Sequence, residues 1–94
     1  MSFDQTGRFA AVPADDLQAL TSAAQTAEIV DRMVADLRSH ADAWENTTLE
    51  RYLDALGRCL RAQQQLYANR GQPYPATPTW TQFAEALVAA SGYE

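Results

Sequence analysis

Ninety-four residues with one cysteine, seven arginines, no lysine and twelve carboxylates make one acidic domain of net charge -5, long enough to withdraw roughly 60 to 65% of the unfolded chain's surface from water. A single thiol, Cys59, excludes an internal disulfide and a multi-cysteine metal site, and it suits a reducing compartment. Residues 1 to 50 carry nine acids against three arginines, a net of -6, and residues 51 to 94 three against four, a net of +1; the front half disfavours counterion-releasing contact with nucleic acid and favours a basic partner.

The opening residues have no basic start and no continuous apolar stretch, so neither a signal peptide nor a membrane span is expected and a cytoplasmic protein is the default. Residues 1 to 12 mix Phe3, Phe9 and Val12 with Gly7 and polar residues without a period. They read as an N-terminal arm that docks its phenylalanines on the core, ahead of a single helical domain over residues 13 to 94. Pro13, followed by Asp15 and Asp16, suits a short first helix. Ser22 with Gln25 offers a capping box, and Ala27, Val30, Met33, Val34, Leu37, Ala41 and Trp44 then recur at helical spacing as a buried stripe.

A hinge around Ser39 to Asn46 leads to a second long helix, which the spacing starts at a Thr47 and Glu50 capping box and runs to Asn69. Leu49, Tyr52, Leu53, Leu56, Leu60, Gln63 and Tyr67 form its predicted inner face, with Cys59 beside it. Gly57 within this helix costs about 1 kcal/mol relative to alanine, a cost that a close neighbouring helix would explain. Gly71 is the expected left-handed stop. Pro73, Pro75 and Pro78 stiffen the connector, and Thr77 with Pro78 is the predicted start of a last helix whose stripe is Trp80, Phe83, Ala84, Leu87, Val88 and Ser91.

Chemical groupings are sparse. His40 and Asp36 share a helix face, yet two ligands do not make a metal site, and a histidine in a last turn ordinarily meets free carbonyls. Cys59 at the edge of an apolar face is expected as a small core residue, with His40 the sole histidine available as a base. No Gly-x-Ser-x-Gly turn and no phosphate-cradling glycine loop is present. Arg58, Arg61 and Arg70 near Tyr67 and Tyr74 are read as charge balance rather than a nucleic-acid patch, and Pro75-Ala76-Thr77-Pro78 as a structural turn rather than a peptide ligand.

Trp44-Glu45-Asn46, Thr48-Leu49, Tyr52-Leu53 and Ala55-Leu56, followed by Tyr67, Asn69, Gly71-Gln72-Pro73, Pro75, Pro78, Trp80, Phe83-Ala84, Leu87, Ala89-Ala90 and Tyr93-Glu94, resemble a bacterial domain family of unknown function that is frequent in actinobacteria. The likeness covers roughly residues 30 to 94. Cys59 departs from it, because a tryptophan is expected there. The resemblance implies a small helical protein and supplies no activity.

These readings converge on an all-α fold of three main helices plus a short N-terminal one. Its expected core is Val30, Val34, Leu37, Leu49, Leu53, Leu56, Leu60, Trp80, Phe83 and Leu87, with the first two long helices as antiparallel neighbours. The expected function is that of a non-catalytic acidic protein-binding module, an inhibitor or neutraliser of a basic partner among the possibilities. No catalytic residue, cofactor or metal is expected, and neither nucleic acid nor a membrane is an expected partner. Candidate contacts are Trp44, Glu45, Asn46, Tyr67, Asn69, Arg70, Tyr74 and Trp80. The alternative is a small-molecule binder or minor enzyme with an aromatic pocket near Trp44, Tyr67, Tyr74 and Trp80. A monomer or a homodimer is compatible with the pattern, since a three-helix domain can leave part of a stripe uncovered.

Overall fold

In the computed structural model, which describes residue 10 and residues 12–93, α1 spans Ala23–His40, α2 Leu49–Asn69 and α3 Trp80–Ala90, with short 3-10 turns at Ala14–Leu17 and Ala41–Ala43. No strand occurs among the described residues, so the fold is all-α as expected. The short N-terminal helix is a 3-10 turn following Pro13. The expected docking of Phe3 and Phe9 lies outside the described residues, as does Glu94. Ala10 and Val12, from the stretch read as an arm, are buried in one core cluster with Leu17, Ile29, Met33, Ala84 and Val88.

Side chains fix each helix start, and two of them do so one or two positions away from the expected place. At α1, the Ser22 hydroxyl accepts from the Gln25 amide at 3.1 Å, while the Gln25 carbonyl oxygen returns to the Thr21 amide at 2.7 Å. Thr48, not Thr47, caps α2, accepting the Arg51 amide at 3.2 Å. With Leu49 as the first helical residue, Glu50 sits too early in the turn to reach back, so the predicted box does not form. Likewise Thr79, not Thr77, caps α3, because Gln82 three residues on completes both arms of a capping box at 3.1 and 2.8 Å. Thr77 has Trp80 at the equivalent position, with nothing to return. The stop at Gly71 is as read: its φ is 70°, and the Gln72 amide donates to the Tyr67 carbonyl at 2.9 Å.

The last helix, rather than the second, is the hub. α3 makes its most extensive contact with α2 and a second one with α1, whereas α1 and α2 do not pack closely side by side. This corrects the expected antiparallel pairing of the first two helices. The reason lies in the hinge, which is fastened to the far end of α3. The Glu45 and Asn46 amides both donate to the Ser91 carbonyl, at 3.0 and 3.2 Å, and the buried Asn46 side-chain amide donates to the Ala90 and Tyr93 carbonyls at 2.9 and 2.8 Å. Four donors thus satisfy the open carbonyl end of α3, and the chain is drawn across α3 instead of folding straight back along α1.

The composition of the core follows from that arrangement. α1 buries Thr26, Ile29, Met33 and Asp36, a face rotated by one residue from the predicted stripe. On α2 the buried positions are Ala55, Cys59, Gln63 and Tyr67, and on α3 they are Gln82, Ala84, Ala86, Val88 and Ala90. Most of the predicted core is therefore outside: Val30, Val34, Leu49, Leu53, Leu60, Trp80 and Phe83 are all exposed, and Leu37, Leu56 and Leu87 are half-buried. Small side chains let α2 and α3 approach closely, and the larger apolar groups border the seam. Buried polar groups bind across it, with the Gln63 amide donating to the Gln82 carbonyl at 2.7 Å and the Tyr52 hydroxyl to the Leu87 carbonyl at 2.7 Å.

Candidate functional site

The gap between α1 and α2 is a groove of about 400 Å³. Val30, Val34 and Leu37 of α1 form one wall and Leu49 of α2 the other. Met33, Tyr52 and Leu87 also line it, and Trp44, Asn46, Thr47 and Thr48 complete its lining. No charged side chain lines it.

Four of the five polar side chains in its lining are engaged within the fold. The Trp44 indole donates to Asp36 at 2.8 Å, the Asn46 amide donates to two carbonyls, the Tyr52 hydroxyl donates to Leu87, and the Thr48 hydroxyl caps α2. Trp44 is half-buried, with its ring 6.4 Å from that of Tyr52. What remains for a ligand is apolar surface.

The eight candidate contact residues divide among several places. Trp44 and Asn46 line the groove, but Asn46 is buried and acts as the clamp on α3. Glu45 pairs with Arg51 at 3.4 Å in a neighbouring polar depression that also includes Asp54, Arg58 and Tyr93. Tyr67 donates to Glu85 at 2.5 Å and meets the Tyr74 ring edge-on at 5.2 Å, while the Tyr74 hydroxyl donates to Gln63 at 3.0 Å. Arg70 ends α2 and shares a small recess with Tyr67, and Asn69 accepts from Gln65 at 2.8 Å. Trp80 packs its ring 6.4 Å from Phe83 on the outer side of α3. Of the four aromatics read together as one pocket, Tyr67 and Tyr74 meet, whereas Trp44 and Trp80 each lie elsewhere.

The possible reactive groups are also apart in role. His40 Nδ1 lies 3.3 Å from the buried Asp36 carboxylate, which makes the pair a local helix contact joined by Trp44. Cys59 is buried in the α2–α3 seam, and burial pushes its thiol up to about 11, against a smaller opposing pull from Arg58. It is protonated at neutral pH and a poor nucleophile. Burial likewise pushes Tyr52 up to about 12, with Cys59 adding to it, and burial followed by the hydrogen bond that Tyr67 donates to Glu85 raises Tyr67 further. No group of three or more His, Cys, Asp or Glu side chains with metal-binding geometry occurs among the described residues. Arg58 pairs with Asp54 at 3.2 Å and lies over the Tyr93 ring at 5.4 Å. No helix among the described residues is long and apolar enough to cross a membrane.

Residues 22–94, which include all three helices and every residue lining the groove, match a family described as Family of unknown function (DUF7660). The chain belongs to that family. No curated protein and no solved structure matches it. The DUF7660 match starts at Ser22, the cap of α1, and so extends beyond the roughly residue-30 start of the resemblance.

Groove residues such as Val30, Val34, Leu49 and Leu87 were read from sequence as core, because large apolar groups at helical spacing ordinarily point inward. A signal for the alternative was present in the second set of inward positions: Ile29 and Met33 on α1, Ala55 and Cys59 on α2, and the alanines of α3. Each helix carries two adjacent apolar lines, and one line is enough to close the core.

Proposed function

We propose that this DUF7660 chain is a non-catalytic binding module of the bacterial cytoplasm that takes an apolar segment of a partner protein into the groove between α1 and α2. The observation that carries the reading is the groove itself, whose walls are large aliphatic side chains left exposed while most of its polar groups are spent within the fold. An amphipathic helix laid into an apolar groove is a recurring mode of recognition. Asp31, Glu45 and Glu50 follow Val30, Trp44 and Leu49 in sequence, so a segment with basic flanks suits the site better than an acidic one. This narrows the earlier expectation of a basic partner to a stated surface. Asp36 does not belong among the charge-reversal positions, because it is buried and bonded to Trp44 and His40.

A small apolar ligand would fit the volume, but binding pockets for such molecules ordinarily offer a few free polar groups that fix orientation. Here Trp44, Asn46 and Tyr52 direct theirs into the protein. The reading is tested by affinity capture from the native host, comparing the wild-type chain with Val34→Glu and with Asp31→Arg/Glu50→Arg. A stoichiometric partner lost with Val34→Glu and weakened by the charge reversal and by salt is the expected result. Capture that is insensitive to Val34→Glu, with the variant folded by circular dichroism, removes the groove from the account.

A further inference from the structure

A second apolar surface lies away from the groove. Leu53 and Leu60 of α2 are 54% and 46% exposed, and Trp80 and Phe83 of α3 are 39% and 44% exposed; none of the four lines the groove. Leu60 and Phe83 border one recess together with Tyr74, and Trp80 abuts Phe83. Helical spacing puts Leu53, half-buried Leu56, Gly57 and Leu60 on one side of α2.

Gly57 is the informative residue. A glycine in the middle of a helix is unfavourable, and nothing in this fold asks for one: a Cβ built there would meet only the flexible Arg61 guanidinium of its own helix, at 3.6 and 3.8 Å. The close neighbour that the sequence calls for is not supplied by α1 or α3. With only the flexible Arg61 side chain over it, the Gly57 backbone between two exposed leucines is the surface shape that lets another helix approach closely once that side chain turns aside.

We propose that this face is where a second copy of the chain docks, with the two α2 helices crossing antiparallel about a two-fold axis at Gly57. A symmetric contact requires a self-complementary patch, and this one meets that requirement. Antiparallel crossing at Gly57 sets Leu53 of each copy near Leu60 of the other. It also brings Arg61 of one copy alongside Glu50 and Asp54 of the other, so opposite charges meet on either side of the axis. The exposed parts of Leu53, Leu60, Tyr74, Trp80 and Phe83 amount to on the order of 400 Å² per chain, taking about 150–250 Å² for a whole aromatic side chain. A stable dimer buries about 800 Å² per partner, of which about 65% is apolar, so the patch supplies most of the apolar part of such a contact. The inference does not depend on the groove.

Sedimentation equilibrium of the wild-type chain up to about 100 µM is expected to give twice the 10.4 kDa chain mass. Leu60→Asp and Phe83→Asp are expected to give the single-chain mass with unchanged circular dichroism, since neither side chain is in the core. Gly57→Leu, which holds the helices apart, is expected to weaken association at least about tenfold. Gly57→Cys treated with diamide places two thiols at the axis, and a covalent dimer absent from the wild-type chain and from Arg38→Cys is expected. A single-chain mass throughout the range overturns the proposal. So does a dimer indifferent to Leu60→Asp and Gly57→Leu, an assembly larger than a dimer, or a face occupied by another protein in place of a second copy. A single-chain mass with partner capture still abolished by Val34→Glu would remove the dimer alone, and a dimer with capture indifferent to Val34→Glu the groove alone.

Discussion

The seam between α2 and α3 and the gap between α1 and α2 are built from opposite materials. In the seam, Ala55, Cys59, Ala86 and Ala90 are buried, and the helices are close enough for Tyr52 and Gln63 to reach the backbone of α3. In the gap, Val30, Val34, Leu37 and Leu49 stand apart around a groove of about 400 Å³. The seam has the smaller side chains and the tighter structure, whereas the gap has the larger side chains and the free apolar surface. Side-chain size thus sorts the helix faces: small groups hold the fold together, and large ones are left for other molecules.

The hinge clamp is where that division is most easily broken. Asn46→Ala deletes the two side-chain hydrogen bonds among the four that hold the α3 terminus and takes from the Ala90 carbonyl its buried Asn46 donor. A buried acceptor without a partner costs roughly 1–3 kcal/mol and two are affected, so a loss of about 3 kcal/mol is expected in urea unfolding. Asn46→Asp should do no better, because a carboxylate cannot donate to the two carbonyls.

Overpacking the seam comes next. Ala55 is fully buried, and Ala55→Leu adds volume where the helices approach most closely, at an expected cost of about 2 kcal/mol. Alkaline pH strains the same seam without a mutation. Cys59 is raised from 9.0 to about 11 and Tyr52 from 10.0 to about 12, both mainly by burial. The unfolded chain releases these protons first, so the stability they support is whole below pH 9 and is lost as pH rises through about 11 for Cys59 and about 12 for Tyr52. Unfolding midpoints in urea are expected to be flat from pH 7 to 9 and to fall above it. Cys59→Ala should remove the earlier part of that fall.

How far this was legible from sequence depends on the kind of signal. Helix existence, the Gly71 stop and the absence of strands were written in periodicity and turn chemistry, both local properties. The caps at Thr48 and Thr79 were missed by one or two positions because neighbouring threonines offer competing starts; the Gln82 return arm decides for Thr79, whereas at α2 the Thr47 and Glu50 pairing pointed to a cap that is not used. The core was missed for another reason. Leu53, Leu60 and Phe83 satisfy the helical period as well as Ala55, Cys59 and Ala84 do, and size pointed to the wrong line. Which line closes the core depends on where α3 sits, and that depends on Asn46 reaching Ala90 and Tyr93, a contact over more than forty positions that no local pattern encodes. The candidate site inherits the error, since its walls had been assigned to the interior.

The α3 cap gives a smaller, local check. Thr79→Ala removes the hydroxyl that accepts the Gln82 amide and is expected to cost about 1 kcal/mol. Thr77→Ala is expected to be close to neutral, since the cap is not there. Equal effects of the two would return the start of α3 to the earlier position.

The smallest expected effect separates the two regions most sharply. Leu49 is 73% exposed on the groove wall, so Leu49→Ala is expected to change unfolding free energy by less than about 0.5 kcal/mol, as for a surface site. A leucine wedged between two packed helices would instead cost about 2–5 kcal/mol on the same truncation. Urea titrations of Leu49→Ala beside Ala55→Leu therefore compare two positions of one helix under opposite expectations. If the gap closes in solution, with α1 folded down on α2 as the sequence pattern first suggested, Leu49→Ala becomes the costly change. An open groove requires it to remain nearly silent in stability while reducing the apolar wall offered to a partner.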